Sequence, residues 1–310
     1  MTKTYKIFII FFIIIIFSLL FFLNKYNDII KQEQTDILVS RNIELINSEI
    51  SYQKKHALSL AILFSKNQNI INYLKQNKKT QLKYELNNLI TTISNYTKLH
   101  NIQIQVHTKE LKVFVRSWED KDTGLNLSKF RQGLVKVKQT KQPFVSNELG
   151  KRFNIKAISP IFDKEEYIGS LEVIIDYSPL KERLHLAEIK VLLLLKDKFL
   201  DIAKYHKNNK KLHDYVVIEK HFNKKLYDIL YRHKSILEED KFYYEIDDNI
   251  ITVIPLGNNK QESVGYLVAS FKKTNETFNY VPNYEYSRDI PTDVNYKNKN
   301  SINKTPISIK

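Results

Sequence analysis

The strongest constraint on this chain is an apolar run close to its N-terminus. Every residue from Ile7 to Leu23 is apolar except Ser18. These 17 residues, at about 1.5 Å of rise each in a helix, nearly cross a hydrocarbon core of roughly 30 Å. Lysines precede the run, and basic residues favour the cytoplasmic side of a membrane. The pattern predicts a cytoplasmic N-terminus at 1–6 and a transmembrane anchor at 7–23.

A cleaved signal peptide is the competing interpretation of the same run. Its exit, at residues 21–25, has no pair of small residues at cleavage spacing, so an uncleaved anchor is favoured. No later stretch of the sequence is long and apolar enough to span. The bulk of the chain is therefore predicted to lie on the far side of the membrane.

Helical periodicity dominates residues 27–100. Apolar residues recur every seven positions at Ile43, Ile50, Ala57 and Phe64, with no proline or glycine among them. This spacing predicts a long amphipathic helix. Its apolar seam would pack either on the chain's own second layer or on a second copy, and a further helix is predicted to follow it.

A period of two then replaces the helical period, which predicts strands and an α+β fold. The pattern indicates one module at 101–180, with a helix beginning at a Ser128 N-cap, and a second module at 181–273. The tail, 274–310, has no periodicity and is predicted to be disordered. Strands of the first module are predicted near 102–106, 111–115, 143–148, 153–162 and 167–176.

The two predicted modules contain a short internal echo. Pro160 is followed nine residues later by Gly169, and Pro255 is followed ten residues later by Gly265. In each case a charged turn separates a strand ending in Pro-apolar from a strand opening with aliphatic-Gly-X-Leu. The echo favours two copies of one small α/β unit. In the first copy the proline is expected to kink the chain and the glycine to form a tight turn.

Composition excludes several kinds of function. The chain has no cysteine, so thiol catalysis and cysteine-bound metals are ruled out. The net charge is +15, but the lysines are spread along the whole chain without a nucleic-acid-binding motif, so no nucleic-acid partner is predicted. No phosphate-binding glycine loop, metal-ligand spacing or nucleophile motif is present. We predict no enzymatic activity, no metal and no cofactor.

Residues 111–180 concentrate the polar side chains that are suited to binding. Arg116 and Trp118 share one face of an extended strand, and an arginine beside an aromatic ring can hold a carboxylate or a planar group. The alternative is structural, with Trp118 filling a core and Arg116 paired with Glu148. The sequence leaves both open.

In this stretch the chain resembles the double Cache sensor domain, a tandem PAS-like module of bacterial chemoreceptors, sensor histidine kinases and diguanylate cyclases. The motifs cover about 70 residues, and their order is more specific than any one of them. The resemblance is carried by the runs at residues 115–118, 124–131, 140–143, 148–150, 158–161 and 168–172.

The resemblance implies a long helix packed along two stacked modules with antiparallel sheets, the membrane-distal one (101–180) holding the ligand and the membrane-proximal one (181–273) following it. The sequence departs from the family pattern at Lys156, where arginine is more usual. It also departs from the pattern in lacking a second membrane span and an output domain. By motif position, the implied ligand-binding residues are Arg116, Trp118, Phe130, Arg131, Glu148 and Glu172.

The leading hypothesis is a sensor of a small anionic or amphoteric metabolite in a chemotaxis or two-component pathway. It would be anchored once in a bacterial inner membrane, face the periplasm, form a homodimer through its long helix and act with a partner signalling protein. The alternative is an envelope scaffold that uses PAS-like modules for protein contacts. A polar pocket at Arg116, Trp118 and Arg131 would favour the sensor, and an apolar first module would favour the scaffold.

Overall fold

The computed structural model describes residues 3–97, 99, 101–129, 131–257 and 262–273, with side chains from residue 10 onward. The tail predicted to be disordered lies outside these residues. In the described chain, helices α1, α2 and α3 come first, and two antiparallel sheets follow. We call residues 101–180 the first module and residues 181–273 the second module.

The predicted anchor and the predicted amphipathic helix form one continuous helix, α1 (Lys3–Ser65). At about 1.5 Å per residue, α1 is roughly 95 Å long. Its apolar residues from Ile10 to Leu23 are exposed, and α1 is the helix among the described residues that is long and apolar enough to cross a membrane. No residue between the two predicted segments breaks it, because α1 contains neither proline nor glycine.

The heptad seam of α1 packs on the chain's own modules. Ile50, Ala57 and Phe64 are buried, and Ile43 is partly buried against the same core. Of the two uses predicted for this seam, the structure therefore shows the intramolecular one. Two helices follow, α2 (Gln68–Lys75) and α3 (Lys79–Thr97). The first of these was not predicted.

The first module contains a five-stranded sheet of order β2-β1-β5-β4-β3, with every neighbouring pair antiparallel. A helix, α4 (Gln132–Thr140), precedes β3 and packs on the sheet. The strands are β1 (Gln103–Thr108), β2 (Val113–Arg116), β3 (Phe144–Glu148), β4 (Asn154–Asp163) and β5 (Glu166–Ile175).

The predicted start of α4 at Ser128 is wrong, because the chain stays extended for longer. Leu125 accepts a backbone hydrogen bond from Val113, and Leu127 donates one to Leu111. The side chain of Asn126 then accepts the Ser128 N–H at 2.9 Å. These bonds hold the segment beside β2 and delay the helix to Gln132.

The second module contains a six-stranded antiparallel sheet of order β7-β8-β6-β11-β10-β9. Helix α5 (Ser178–Leu186) leads into it, and α6 (Lys224–Arg232) and α7 (Ser235–Glu238) lie between its strands in the chain. The strands are β6 (Lys190–Lys196), β7 (Lys211–Leu212), β8 (Tyr215–Val217), β9 (Tyr244–Ile246), β10 (Asn249–Gly257) and β11 (Ser263–Lys272).

The two copies of the internal echo occupy equivalent places in the two sheets. Pro160 does not kink the chain, however, and Gly169 does not form a tight turn. β4 runs unbroken through Pro160, and Gly169 pairs with Thr108 and Ile161 inside the first sheet. A Cβ on Gly169 would lie 2.2 Å from the carbonyl oxygen of His107. Gly169 is therefore needed for the close approach of β1, which corrects its predicted role.

The same close approach recurs in the second sheet. A Cβ on Gly265 would lie 2.0 Å from the carbonyl oxygen of Leu194 in β6. Gly265 pairs with Leu195 on one side and Leu256 on the other. Gly265 thus corresponds to Gly169. When the two sheets are aligned on these glycines, the paired residues of the first sheet match those of the second one by one.

Contacts along α1 order the two modules relative to the apolar run. The Tyr243 hydroxyl of the second module donates to Asp36 at 2.9 Å. Ser159 of the first module meets Ser65 at 2.9 Å. At about 1.5 Å per residue, these contacts lie roughly 20 Å and roughly 63 Å beyond Leu23 along the helix axis. The first module is the one farther from the apolar run.

Candidate functional site

One face of the first sheet carries buried polar side chains. Side chains alternate between the two faces of a strand, and one face holds aliphatic residues that pack in the main core. The opposite face is equally buried, but it carries Gln105, His107, Lys156 and Glu172, each at most 4 % exposed. A strand buried on both faces with polar residues on one of them is unusual, because unpaired buried polar groups are costly.

The equivalent positions in the second sheet are aliphatic. Aligning the sheets on their glycines places Leu192 and Leu194 at the positions of Gln105 and His107. The same register places Val268 at the position of Glu172 and Ile251 at that of Lys156. Leu192, Leu194, Ile251 and Val268 all belong to one apolar core beneath α6 and α7. The two modules share a backbone plan and differ in what this face contains.

A cavity of about 100 Å³ opens on the polar face of the first module. Five cationic side chains and one carboxylate line it. The cations are Arg116, Arg131, Lys151, Arg152 and Lys156, the carboxylate is Glu119, and the remaining lining is Gln103, Gln105, Trp118, Gly150, Asn154, Ile174 and Tyr205.

Arg131 lies at the base of the cavity, directly before the first residue of α4. Its Nη2 donates to Glu172 Oε1 and, at 3.3 Å, to Glu148 Oε2. Burial acts to lower the pKa of Arg131, but the two carboxylates outweigh it and raise the pKa, so the guanidinium stays charged. Arg131 Nε has no hydrogen-bond partner among the described residues.

Glu148 joins Arg131 to the start of α4. Its Oε1 accepts the backbone N–H of Gly133 at 3.2 Å, which satisfies one of the free donors at a helix N-terminus. A Cβ on Gly133 would lie 2.9 Å from Glu148 Oε2, so glycine leaves room for the carboxylate. Glu148 and Glu172 therefore position Arg131 and do not line the cavity themselves.

Arg116 forms the opposite wall. Its Nε donates to Gln105 at 3.0 Å, and its Nη1 donates to Glu119 at 2.6 Å and Asp122 at 2.7 Å. Hydrogen bonds from Lys151 and Arg116 lower the pKa of Asp122. The structural alternative, in which Arg116 pairs with Glu148, is not what the structure shows.

Gln105 links Arg116 to His107. The side-chain oxygen of Gln105 accepts a hydrogen bond from Arg116. The side-chain NH₂ group of Gln105 is therefore free to donate to His107 Nε2 at 2.7 Å. His107 Nδ1 then carries the proton and donates to the Ser170 hydroxyl at 3.2 Å. Burial, together with Arg131, lowers the pKa of His107 to about 3. The ring is neutral and has a fixed tautomer.

Lys156 is a cation of this set that has no ion-pair partner among the described residues. Its Nζ is buried against Gly150, and its one acceptor among the described residues is the Arg152 carbonyl oxygen at 3.5 Å. Burial, followed by repulsion from Arg131, lowers the pKa of Lys156 to about 7. The ammonium faces the cavity without a carboxylate bonded to it.

Trp118 lies at the rim of the cavity. Its ring lies 5.6 Å from the Arg116 guanidinium, and the side chain is 36 % exposed. Trp118 therefore does not fill a core, which was the structural alternative for it. Phe130, the remaining residue implied by the resemblance, lies outside the described residues.

Tyr205 closes one side of the cavity from the second module. Its ring lies 5.0 Å from the Arg152 guanidinium, and its backbone N–H donates to the Lys151 carbonyl oxygen at 3.0 Å. The next residue, His206, accepts the Phe153 N–H at 3.2 Å. A short 3₁₀ turn, Lys204–His206, thus holds in place the loop that carries the cavity residues Gly150, Lys151 and Arg152.

Sequence reasoning missed several residues of this site. It did not single out Gln105 and His107 of β1, a strand that is buried on both faces. Their counterparts in β6, Leu192 and Leu194, are aliphatic, and this contrast is the signal that could have revealed them. Tyr205 carries no local signal, because it reaches the cavity from another module.

Comparisons with known proteins agree with this plan. The dCache_3 family profile, described as the double sensory domain of two-component sensor kinase, matches residues 43–198, which is half of the chain. No curated protein matches the sequence.

Solved structures similar to the chain include sensor domains of bacterial signalling proteins. The sensor domain of the Vibrio cholerae histidine kinase DctB is 12 % identical, with a TM-score of 0.45, 78 % of this chain covered and 100 % of that one. A domain of a sensory box/GGDEF family protein from Vibrio parahaemolyticus is 12 % identical, with a TM-score of 0.47 and coverages of 78 % and 97 %. The ligand-binding domain of the Campylobacter jejuni chemoreceptor Tlp3, solved with L-valine, is 14 % identical, with a TM-score of 0.44 and coverages of 78 % and 95 %.

The family match covers the seam of α1, the whole first module and the first strand of the second module. It therefore includes every residue of the polar face described above. This chain belongs to the double Cache family of sensory domains.

Proposed function

We propose that the first module binds a small anionic or amphoteric molecule in the cavity bounded by Arg116, Trp118 and Arg131. In this proposal, binding there is the input of a signal-transduction receptor, and the protein carries out no chemistry on its ligand. The second module supports the first, and both modules pack directly on α1.

One observation carries the proposal. At equivalent places in two similar sheets, the first module buries Gln105, His107, Lys156 and Glu172, and the second buries aliphatic residues. Burying charged groups costs several kcal/mol each unless they are paired, so a fold that needed only stability would fill both faces alike. The excess of cations around the cavity supports an anionic group on the ligand.

The envelope scaffold remains the second candidate class. It predicted a first module filled with apolar side chains, with Arg116, Trp118 and Arg131 turned outward. All three line the cavity instead, and Arg116 and Arg131 are buried. These placements favour the sensor.

The location in the proposal is the periplasmic side of a bacterial inner membrane, with residues 7–23 as a single anchor. The exposed apolar end of α1 and the family of sensory domains support it. The chain has no native cysteine, so one cysteine at exposed Leu186 reports its compartment. Labelling of Leu186→Cys in whole cells by a membrane-impermeant maleimide is expected, and protection until the cells are lysed would reject the location.

The proposal also includes a homodimer and a partner signalling protein. The seam of α1 is occupied by the chain's own modules, so a dimer would use the part nearer the anchor, where Ile29 and Ile37 are exposed. Oxidative cross-linking of Ile37→Cys in membranes tests it. A cross-linked dimer is expected, and a monomer at every expression level would reject this contact.

Thermal unfolding of the full chain in detergent, against amino acids, organic acids and amines, tests the binding site. A ligand that binds the folded state raises the unfolding midpoint by mass action. The shift should disappear in Arg116→Met and Trp118→Ala, whose folding is checked by circular dichroism. It should persist in Arg232→Met, the same change at an exposed arginine of α6. A shift that survives both cavity variants would place the ligand elsewhere.

A further inference from the structure

Lys156 is a buried amine that faces the cavity without a counterion of its own. The groups that face it are Arg116 from β2, Arg131 before α4, Glu148 from β3 and Glu172 from β5. Lys151, Arg152 and Glu119 complete the charged lining of the cavity. The hydrogen bonds that these charged neighbours already make decide what Lys156 can bind.

The nearby carboxylates bond to donors other than Lys156. Glu172 Oε1 and Glu148 Oε2 accept from Arg131, and Glu148 Oε1 accepts from the start of α4. Glu172 Oε2 has no hydrogen-bond partner among the described residues, and it acts on Lys156 through its charge, without a hydrogen bond. Glu119 accepts from Arg116. Lys156 retains one long hydrogen bond, to a neutral carbonyl oxygen at 3.5 Å. A buried ammonium with this environment lacks a negative partner, and the open space beside it is the cavity.

We propose that Lys156 receives the anionic group of the ligand and takes up one proton from solvent as it does so, so that affinity for an anion falls as the pH rises above neutrality. This inference rests on the proposed function of the cavity. In the empty site the amine is largely neutral under mildly alkaline conditions. When a carboxylate enters, the amine gains a proton and the carboxylate accepts a hydrogen bond from the resulting ammonium, with no covalent change.

The direction of this coupling follows from the charges. Burial and Arg131 hold the pKa of Lys156 near 7 in the empty site. A bound anion favours the charged amine and raises that pKa. Between the two values, the affinity for the anion should fall about tenfold per pH unit, and at lower pH it should not change. Arginine at this position stays charged over the whole range, so Lys156→Arg should bind with constant affinity.

The test uses the full chain in detergent, labelled with carbon-13 at the lysine ε position and titrated by NMR. Acetate is the probe, because it is a carboxylate that fits the cavity volume, and methylammonium is the cationic control of similar size. The Lys156 signal is the one missing from Lys156→Met. We expect it to titrate near pH 7, to move upward with increasing acetate and not to move upward with methylammonium.

The outcomes separate this inference from the proposed function. A Lys156 signal that titrates in the usual lysine range, or that acetate leaves unmoved, overturns the role of Lys156. A panel ligand that binds equally well to Lys156→Met at every pH would keep the sensor function and reject this role. Loss of acetate affinity in Lys156→Met, with constant affinity in Lys156→Arg, supports it.

Discussion

Arg131 donates from Nη2 to Glu172, a residue 41 positions later in the chain whose side chain is fully buried. This bond joins the start of α4 to the centre of the first sheet. Because Glu148 shares the same nitrogen, the guanidinium is held from two strands. The cavity wall is therefore fixed by charges that also hold the module together.

Replacing Glu172 should destabilise the protein strongly. Glu172→Leu leaves a buried guanidinium with one carboxylate in place of two, and breaking a buried ion pair typically costs about 3–5 kcal/mol. We expect the free energy of unfolding to fall by about 3 kcal/mol, as measured by urea denaturation that is followed by the fluorescence of Trp118. The control is Asp201→Asn, which removes a carboxylate from an exposed ion pair with Lys207 and should cost under about 1 kcal/mol. Equal effects of the two variants would contradict this account of Arg131.

Stability should fall as the pH falls from about 6.5 to about 4. Burial, together with Arg152, lowers the pKa of His206 to about 4 from its ordinary 6.5, so in this window the unfolded chain binds a proton that the folded chain does not. Stability then rises with pH, by up to about 3 kcal/mol for a shift of this size. His107 adds in the same direction.

His206→Gln isolates the contribution of His206. Glutamine retains an acceptor for the Phe153 N–H and does not titrate, so the slope of stability against pH should decrease by about one proton. His206→Ala should lose the inter-module hydrogen bond as well and be less stable at neutral pH by about 1 kcal/mol. Both are read from urea unfolding at several pH values, and an unchanged slope in His206→Gln would contradict the shifted pKa.

Alanine should be poorly tolerated at the two aligned glycines. In Gly169→Ala and Gly265→Ala the new methyl group would overlap the carbonyl oxygen of a neighbouring strand, and relief requires moving backbone, which we expect to cost about 2–3 kcal/mol. The matched control is Gly124→Asn, since Gly124 has a φ of +85° and open space around it and asparagine tolerates that conformation. Unfolding midpoints of the three variants check the order, and a stable Gly169→Ala would contradict the close approach of β1.

Asn42 offers a prediction of the opposite sign. Its side chain is fully buried on α1, and neither of its polar atoms has a hydrogen-bond partner in the described chain. Asn42→Leu removes this unmet polarity and should stabilise the protein by about 1–3 kcal/mol. Ile46→Val on the same seam, which removes one buried methyl group, is expected to destabilise by about 1 kcal/mol. A destabilised Asn42→Leu would show that the amide has a partner in solution.

The sequence predicted the five strands of the first module, because a period of two survives in strands such as β4 and β5. It could not predict that α1 is unbroken, since an apolar span and an amphipathic seam have different periodicities and look like separate elements. It placed the start of α4 too early because the Asn126 turn resembles a helix cap.

For the site, the resemblance implied six ligand-binding residues, and three of them, Arg116, Trp118 and Arg131, line the cavity. Lys156 appeared in the sequence only as a departure from the family. Tyr205 and Gln105 could not be identified, because their roles depend on contacts between modules and on burial of both faces of β1. Local patterns carry neither kind of information.

The length of α1 has a mechanical consequence. One rigid rod of roughly 95 Å runs from its apolar end past both modules, and the rod has no proline, glycine or other joint along it. A helix without such joints curves only gently, so we expect a displacement at Ser65, where the rod touches the first module, to be carried along the rod toward the contact of Asp36 with Tyr243.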